Sequence, residues 1–294
     1  MWLGLALVSS FFLGFYDISK KHSLIKNDTF SVLFLGNLFG LLVIFPAYWF
    51  FLQNPGLATE LPIDMSLDHH LKIMAKSALV SVAWILAYSA LKHLPISIAT
   101  PIRATGPFWT LVVAVLFLGE MPKPVHWAGL ALILVSYFYF SVLGLKEGIT
   151  FHTNKWVIYT FLATILGTIS ALYDKYLLQT VAIDPLSLQF WFTFYSVCML
   201  FPIILPGRFN KNRSGFQWKW SIPMIGILLI LADFSYFYSL RQENSMVSMV
   251  SAIRRSSVII SFTAGGIIFQ DLNKRKKAIP LGGIIIGILI LVLT

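Results

Sequence analysis

The sequence predicts an all-α integral membrane protein whose ten transmembrane helices form two inverted five-helix repeats. Three observations lead there. Of the 294 residues 57% are hydrophobic and only 12% charged, with a mean hydropathy of +0.79, and a soluble domain of that balance would lack the polar surface to cover itself. Apolar stretches long enough to cross a ~30 Å hydrocarbon core recur along the whole chain. Finally, short features of the first half return in the second half at a nearly constant distance.

The apolar stretches fall at about 2–21, 30–52, 71–91, 95–118, 124–143, 155–178, 185–206, 217–240, 245–269 and 277–293. Each is near the ~20 residues that a helix rising 1.5 Å per residue needs to span a bilayer. The first has no basic region ahead of it and no small-residue cleavage site behind it, so it reads as a span rather than a signal peptide. The break from Gln53 to His70, with Pro55, Gly56, Glu60, Pro62 and Asp64, reads as an extramembrane loop. Pro95, Pro124, Pro185 and Pro280 are expected in the first turns of the fourth, fifth, seventh and tenth spans, where a missing N–H is harmless. Pro46, Pro101, Pro107 and Pro223 fall in or beside spans and are expected to kink them. The single cysteine, Cys198, excludes an intrachain disulfide.

The repeat is carried by Pro101-Ile102-Arg103-Ala104-Thr105 in the fourth span, echoed 151 positions later by Ala252-Ile253-Arg254-Arg255-Ser256 in the ninth. The same offset pairs Ser97 with Ser248, Glu120 with Asp271 and Lys123 with Lys274. Tyr16-Asp17 recurs as Tyr173-Asp174 at offset 157, the extra six residues matching the longer loop after the second span. Five spans per copy is an odd number, so the second copy must cross in the opposite sense. The halves are expected at 1–147 and 148–294, built into one integral-membrane unit.

Orientation follows from the loops. Lys20, Lys21, Lys26, Lys92, Lys146, Lys155, Arg208, Lys219 and the run Lys274 to Lys277 collect on one side, against Lys72, Lys123, Lys175 and Arg241 on the other. The positive-inside rule then places both termini outside. It also accounts for the net charge of +10 without nucleic acid; the expected partners are the lipid bilayer and a small-molecule substrate.

Arg103, Arg254 and Arg255 lie about 12–15 Å deep in their spans, where a charge costs roughly 2.5–3.5 kcal/mol on insertion scales. A guanidinium offers a fork that matches carboxylate or phosphate. Asp17, Asp174 and Asp233 also fall within spans. Two readings stay open: the arginines contact an anionic or zwitterionic substrate, or arginines and aspartates merely neutralise one another. Asp233 has no basic residue within a turn, so it needs a remote partner or a proton, and with Asp17 and Asp174 it is a candidate for proton coupling. Tyr16, Tyr88, Trp109 and Tyr238 are the aromatic candidates for the substrate cavity, with Trp84, Tyr173 and Tyr236 also in spans. Glu120 and Asp271 suit helix N-termini. Gly129 and the Gly283-x-x-x-Gly287 face suit close helix packing or a dimer, so monomer and homodimer are both open. The histidines lack metal-ligand spacing and no nucleophile motif appears, so neither metal, cofactor nor enzymatic chemistry is expected.

Two passages resemble a known family. Ala90-Leu91-Lys92-His93-Leu94-Pro95-Ile96-Ser97-Ile98-Ala99, followed by Gly106-Pro107, is similar to the third-to-fourth helix passage of EamA-type proteins of the drug/metabolite transporter superfamily. Phe117-Leu118-Gly119-Glu120-Met121-Pro122 with Trp127-Ala128-Gly129 resembles that family's Leu-Gly-Glu turn and fifth helix, which Gln270-Asp271 repeats more loosely. The resemblance implies an alternating-access secondary transporter of a small organic metabolite in a bacterial inner membrane, without ATP hydrolysis. The alternatives are a membrane-embedded enzyme processing a lipid or glycan phosphate, and a transporter holding a cationic drug-like compound on the aspartates.

Overall fold

The computed structural model describes residues 2–54, 65–106, 108–110, 112–113, 124–145, 148–204, 216–242, 245, 247–270 and 274–293. Among these, every regular element is helical: α1 (Trp2–Leu24), α2 (Thr29–Gln53), α3 (Leu67–His93), α4 (Ile96–Ala104), α5 (Pro124–Leu145), α6 (Lys155–Lys175), α7 (Pro185–Ile204), α8 (Ser221–Arg241), α9 (Val247–Arg255), α10 (Ser257–Ile268) and α11 (Lys274–Leu293). A π-helical turn, Tyr176–Thr180, extends α6. The loop 55–64, the Leu-Gly-Glu turn with Glu120, Pro107, Lys123, Lys146, Arg208 and Asp271 lie outside the described residues.

Among the described residues six helices are long and apolar enough to cross a membrane: α1, α2, α3, α6 with its π turn, α7 and α8. They are apolar on nearly every side, as a helix must be when it faces neighbours inward and lipid outward. Leu42, Trp49, Val135, Phe138 and Ile267 stand exposed on the outer surface, which only a hydrocarbon solvent makes favourable. Backbone satisfaction explains where helices begin. Asp28 and Ser66 accept backbone N–H groups of Ser31 and His69 at the starts of α2 and α3, and Pro95, Pro124 and Pro185 stand at the entries of α4, α5 and α7. Pro280 departs from expectation. The charged residues Lys274 to Lys277 are themselves helical, so α11 starts early and Pro280 lies inside it. Pro223, conversely, sits in the first turn of α8 and breaks nothing.

The arginine-bearing segments are interrupted at matching places. α4 stops at Ala104, Thr105 forms a turn and helix resumes; α9 stops at Arg255, Ser256 forms a turn and α10 resumes. At each break the hydroxyl bonds the carbonyl three residues back, Thr105 Oγ1 to Ile102 O and Ser256 Oγ to Ile253 O, both at 2.7 Å. Thr105 and Ser256 are 151 apart, so the sequence echo is also a structural echo.

The two halves interleave. α1 packs along α8, and α3 along α6; α5 pairs with α11, and α2 lies on α7 and α8. Where α2 crosses α8, Gly36, Gly40 and Gly226 bring backbone against backbone, because a Cβ on Gly226 would strike the main chain of Gly40, Gly36 and Phe39. The Gly283 and Gly287 face of α11 meets Ser136, Ile133 and Gly129 of α5 within the chain.

Candidate functional site: a cation-walled cavity between the halves

A cavity of about 130 Å³ lies at the centre of the bundle, lined from α1, α3, α4, α6, α8 and α9 with Phe192 of α7. At roughly 10–15 Å³ per water it holds on the order of ten waters, the size of a small metabolite.

Among the described residues its charged groups form three interhelical pairs and one within α1. Asp17 on α1 accepts from Arg103 Nη1 on α4 at 2.6 Å and from Lys20 Nζ one turn on at 2.8 Å. Asp174 on α6 pairs with Lys76 on α3, and Asp233 on α8 with Arg254 on α9. In the two arginine pairs the cations face the space. The Arg103 and Arg254 side chains keep 20% and 19% exposure, whereas Asp17 and Asp233 keep 4% and 9%. Asp17 thus sits behind Arg103, while Asp233 shares the wall with Arg254 as the more buried partner; each carboxylate steadies a guanidinium that a lone intramembrane arginine could not hold there without drawing in water.

Aromatic rings complete the cation supports. Lys20 lies 4.4 Å from the Tyr16 ring centroid and 5.0 Å from that of Tyr88. Arg254 stacks 4.2 Å over Tyr236, and Lys76 lies 4.3 Å from Phe192. Tyr16 and Tyr88 share a hydrogen bond of 3.1 Å.

Arg255 differs from the other four cations. Among the described residues its guanidinium has no carboxylate partner and no hydrogen bond. It lies flat against Gly106 at the α4 break, where a Cβ would come within 3.0 Å of Nε, and its Nη2 reaches to 4.0 Å of the equivalent position on Gly167 of α6. Two missing side chains therefore make its berth.

The profile of the EamA-like transporter family matches residues 1–142. Over these 142 of its 294 residues the chain is similar to that family. A search of curated proteins finds no match. Among solved structures 29 chains match, one of them a crystal structure described only as that of a protein, at 14% identity and a TM-score of 0.69. It covers 99% of this chain and 96% of its own, so the fold likeness runs through both halves.

The chain is a membrane protein with an EamA-like first half, and its cavity brings together many of the residues singled out in the sequence. Arg103, Arg254, Arg255, Tyr16, Asp174 and Asp233 line it, with Trp84, and Asp17 stands directly behind Arg103. Tyr88 is fully buried behind Tyr16 rather than on the wall. Trp109 and Tyr238 do not line the cavity. Trp109 packs on Phe161 of α6 and bonds Thr105 Oγ1 at 3.3 Å, and Tyr238 packs on Phe234, both away from the cavity. Helical phase decides between the α8 tyrosines: Tyr236 is three residues from Asp233 and shares its face, whereas Tyr238 is five away. Lys76, which the loop-charge pattern passes over, is 2% exposed and a wall residue. Lys20 and Lys277, expected as loop charges, are buried, Lys20 on Asp17 and Lys277 with its Nζ 3.0 Å from Ser97 Oγ.

Proposed function

We propose that the chain is an alternating-access secondary transporter of a small organic anion, with ten spans in two inverted repeats and the cavity as its substrate site. The observation that carries the reading is the charge on the wall. Among the described residues Lys20, Lys76, Arg103, Arg254 and Arg255 face or back the cavity against Asp17, Asp174 and Asp233, five cations to three anions. Such a site attracts an anion and repels a cation. Supporting the inverted arrangement, the wall draws α1, α3 and α4 from one half and α6, α8 and α9 from the other. The matched breaks at Thr105 and Ser256 give each half a place where a span can bend. A cationic substrate on the aspartates is the weaker reading, because all three carboxylates are already taken by lysine or arginine. Their role here is to hold cations in place, with proton coupling secondary.

The test is counterflow of labelled carboxylates and phosphates in liposomes. Arg103→Gln leaves Asp17 paired with Lys20, so the fold persists while the cavity loses a charge. A charge-assisted hydrogen bond contributes about 1.5–3 kcal/mol, so KM for the transported anion should rise tenfold or more. An unchanged KM would remove the anion clamp.

A further inference from the structure

Resting on the anion-transport reading, we infer that the substrate carries two negative charges, and that Arg255, Arg254 and the Tyr236 hydroxyl form the site of its oxyanion group. Charge balance is the first observation. Among the described residues each aspartate cancels one cation, and because Asp17 serves both Lys20 and Arg103, two positive charges stay uncancelled, one on that triad and one on Arg255. A monoanion would leave one of them exposed to a low-dielectric cavity, whereas a dianion brings the site to neutrality.

The second observation is independent of charge counting. Tyr236 is 2% exposed, lines the cavity, and its hydroxyl has no hydrogen-bond partner among the described residues. Arg254 spends one nitrogen on Asp233, yet its buried Nε also lacks a partner. Buried donors without acceptors are rare in native structures and mark a group that another molecule satisfies. Arg255, adjacent in sequence to Arg254 and without an acceptor of its own, adds a full guanidinium fork. Phenol O–H, Nε–H and guanidinium are all donors in this setting, so the missing partner is an oxygen-rich acceptor. A carboxylate or phosphate oxygen fits; an ammonium does not. Gly106 and Gly167 set the geometry, since a side chain at either would press on Arg255.

Matched ligand pairs test this. Thermal stabilisation of the detergent-purified protein is titrated with methyl phosphate against dimethyl phosphate, and with succinate against monomethyl succinate, each pair differing mainly by one charge. Affinity follows from the concentration dependence. The dianion of at least one pair should bind about tenfold or more tightly than its monoanion at pH 7.5. Methyl phosphate should weaken as pH falls through its second ionisation near ~6. Arg255→Gln, which orphans no carboxylate, should reduce the preference to about twofold, and its own ligand-free cooperative melting transition reports that the variant is folded. Tyr236→Phe should weaken the dianion about fivefold. Equal binding of monoanion and dianion, or a preference unchanged by Arg255→Gln, overturns the two-charge site while leaving anion transport intact. Absence of stabilisation by all four compounds, with stabilisation by cations instead, overturns both.

Discussion

Removing the carboxylate of Asp17 should be the most damaging polar substitution in the bundle. Asp17 is 3% exposed and accepts from two cations, Lys20 at 2.8 Å and Arg103 at 2.6 Å. Asp17→Asn preserves shape and a hydrogen-bonding side chain but leaves both cations without a counter-charge, Lys20 at 2% exposure. Breaking a buried pair by deleting one partner costs about 3–5 kcal/mol, because the surviving charge stays buried. At roughly 2–4 °C per kcal/mol for a chain of this size, the melting temperature should fall by roughly 6–20 °C. The assay is thermal unfolding of the detergent-purified protein followed by intrinsic fluorescence. Adding Lys20→Met to the same chain removes one orphaned charge and should recover about half the loss. A drop under ~2 °C for Asp17→Asn, or no recovery in the double variant, would refute the argument that Asp17 holds two buried cations.

Other predictions follow from packing, hydrogen bonding and topology. Gly226→Ala puts a methyl into the backbone of α2 and should destabilise by at least about 1–3 kcal/mol, whereas Gly4→Ala, with open space around it, should stay within about 0.5 kcal/mol in the same melt. The double variant Lys76→Met/Asp174→Leu should be as stable as wild type or more so, and Asp174→Leu alone markedly less stable, since a buried pair is replaced well only as a unit. Tyr88→Phe removes one buried hydrogen bond and should cost about 0.5–1.5 kcal/mol. An alkaline phosphatase fusion after Thr294 should be active, as an external C-terminus requires; an inactive fusion would reverse the orientation.

Much of this organisation is readable from the chain because membranes impose simple rules. Length and apolarity delimit α1, α2, α3, α6, α7 and α8, and the proline positions mark the starts of α4, α5 and α7. Arg103 and Arg254 stand out because charge in an apolar span is expensive, and Asp233, lacking a local base, is legible as needing a distant partner; Arg254 is that partner. The pairing pattern is legible only in part: Lys20 stands one turn from Asp17 and pairs with it. Asp174 has Lys175 beside it in sequence yet pairs with Lys76 across the α3–α6 contact, since neighbours on a helix point about 100° apart. Lys20 and Lys277 look like loop charges because they sit near span ends, and only tertiary packing shows them buried. The crossing at Gly36, Gly40 and Gly226 joins elements nearly 190 residues apart in sequence, whereas the Gly283 and Gly287 face, recognisable as a packing surface, does not announce that α5 covers it.

The central claim is that the cavity is electropositive and open to small anions. The direct measurement is the modification rate of a single thiol on its wall. Cys198 is the one native cysteine, so Cys198→Ser with Ala87→Cys, a cavity-lining position on α3, gives a unique reporter. Its reaction with a negatively charged sulfonate methanethiosulfonate reagent is compared with that of a positively charged trimethylammonium one, each rate divided by that for a free thiol in solution. The anionic reagent should be favoured at least about tenfold, high salt should narrow the ratio, and Arg255→Gln should lower it. A ratio at or below one, unmoved by Arg255→Gln, would contradict the claim.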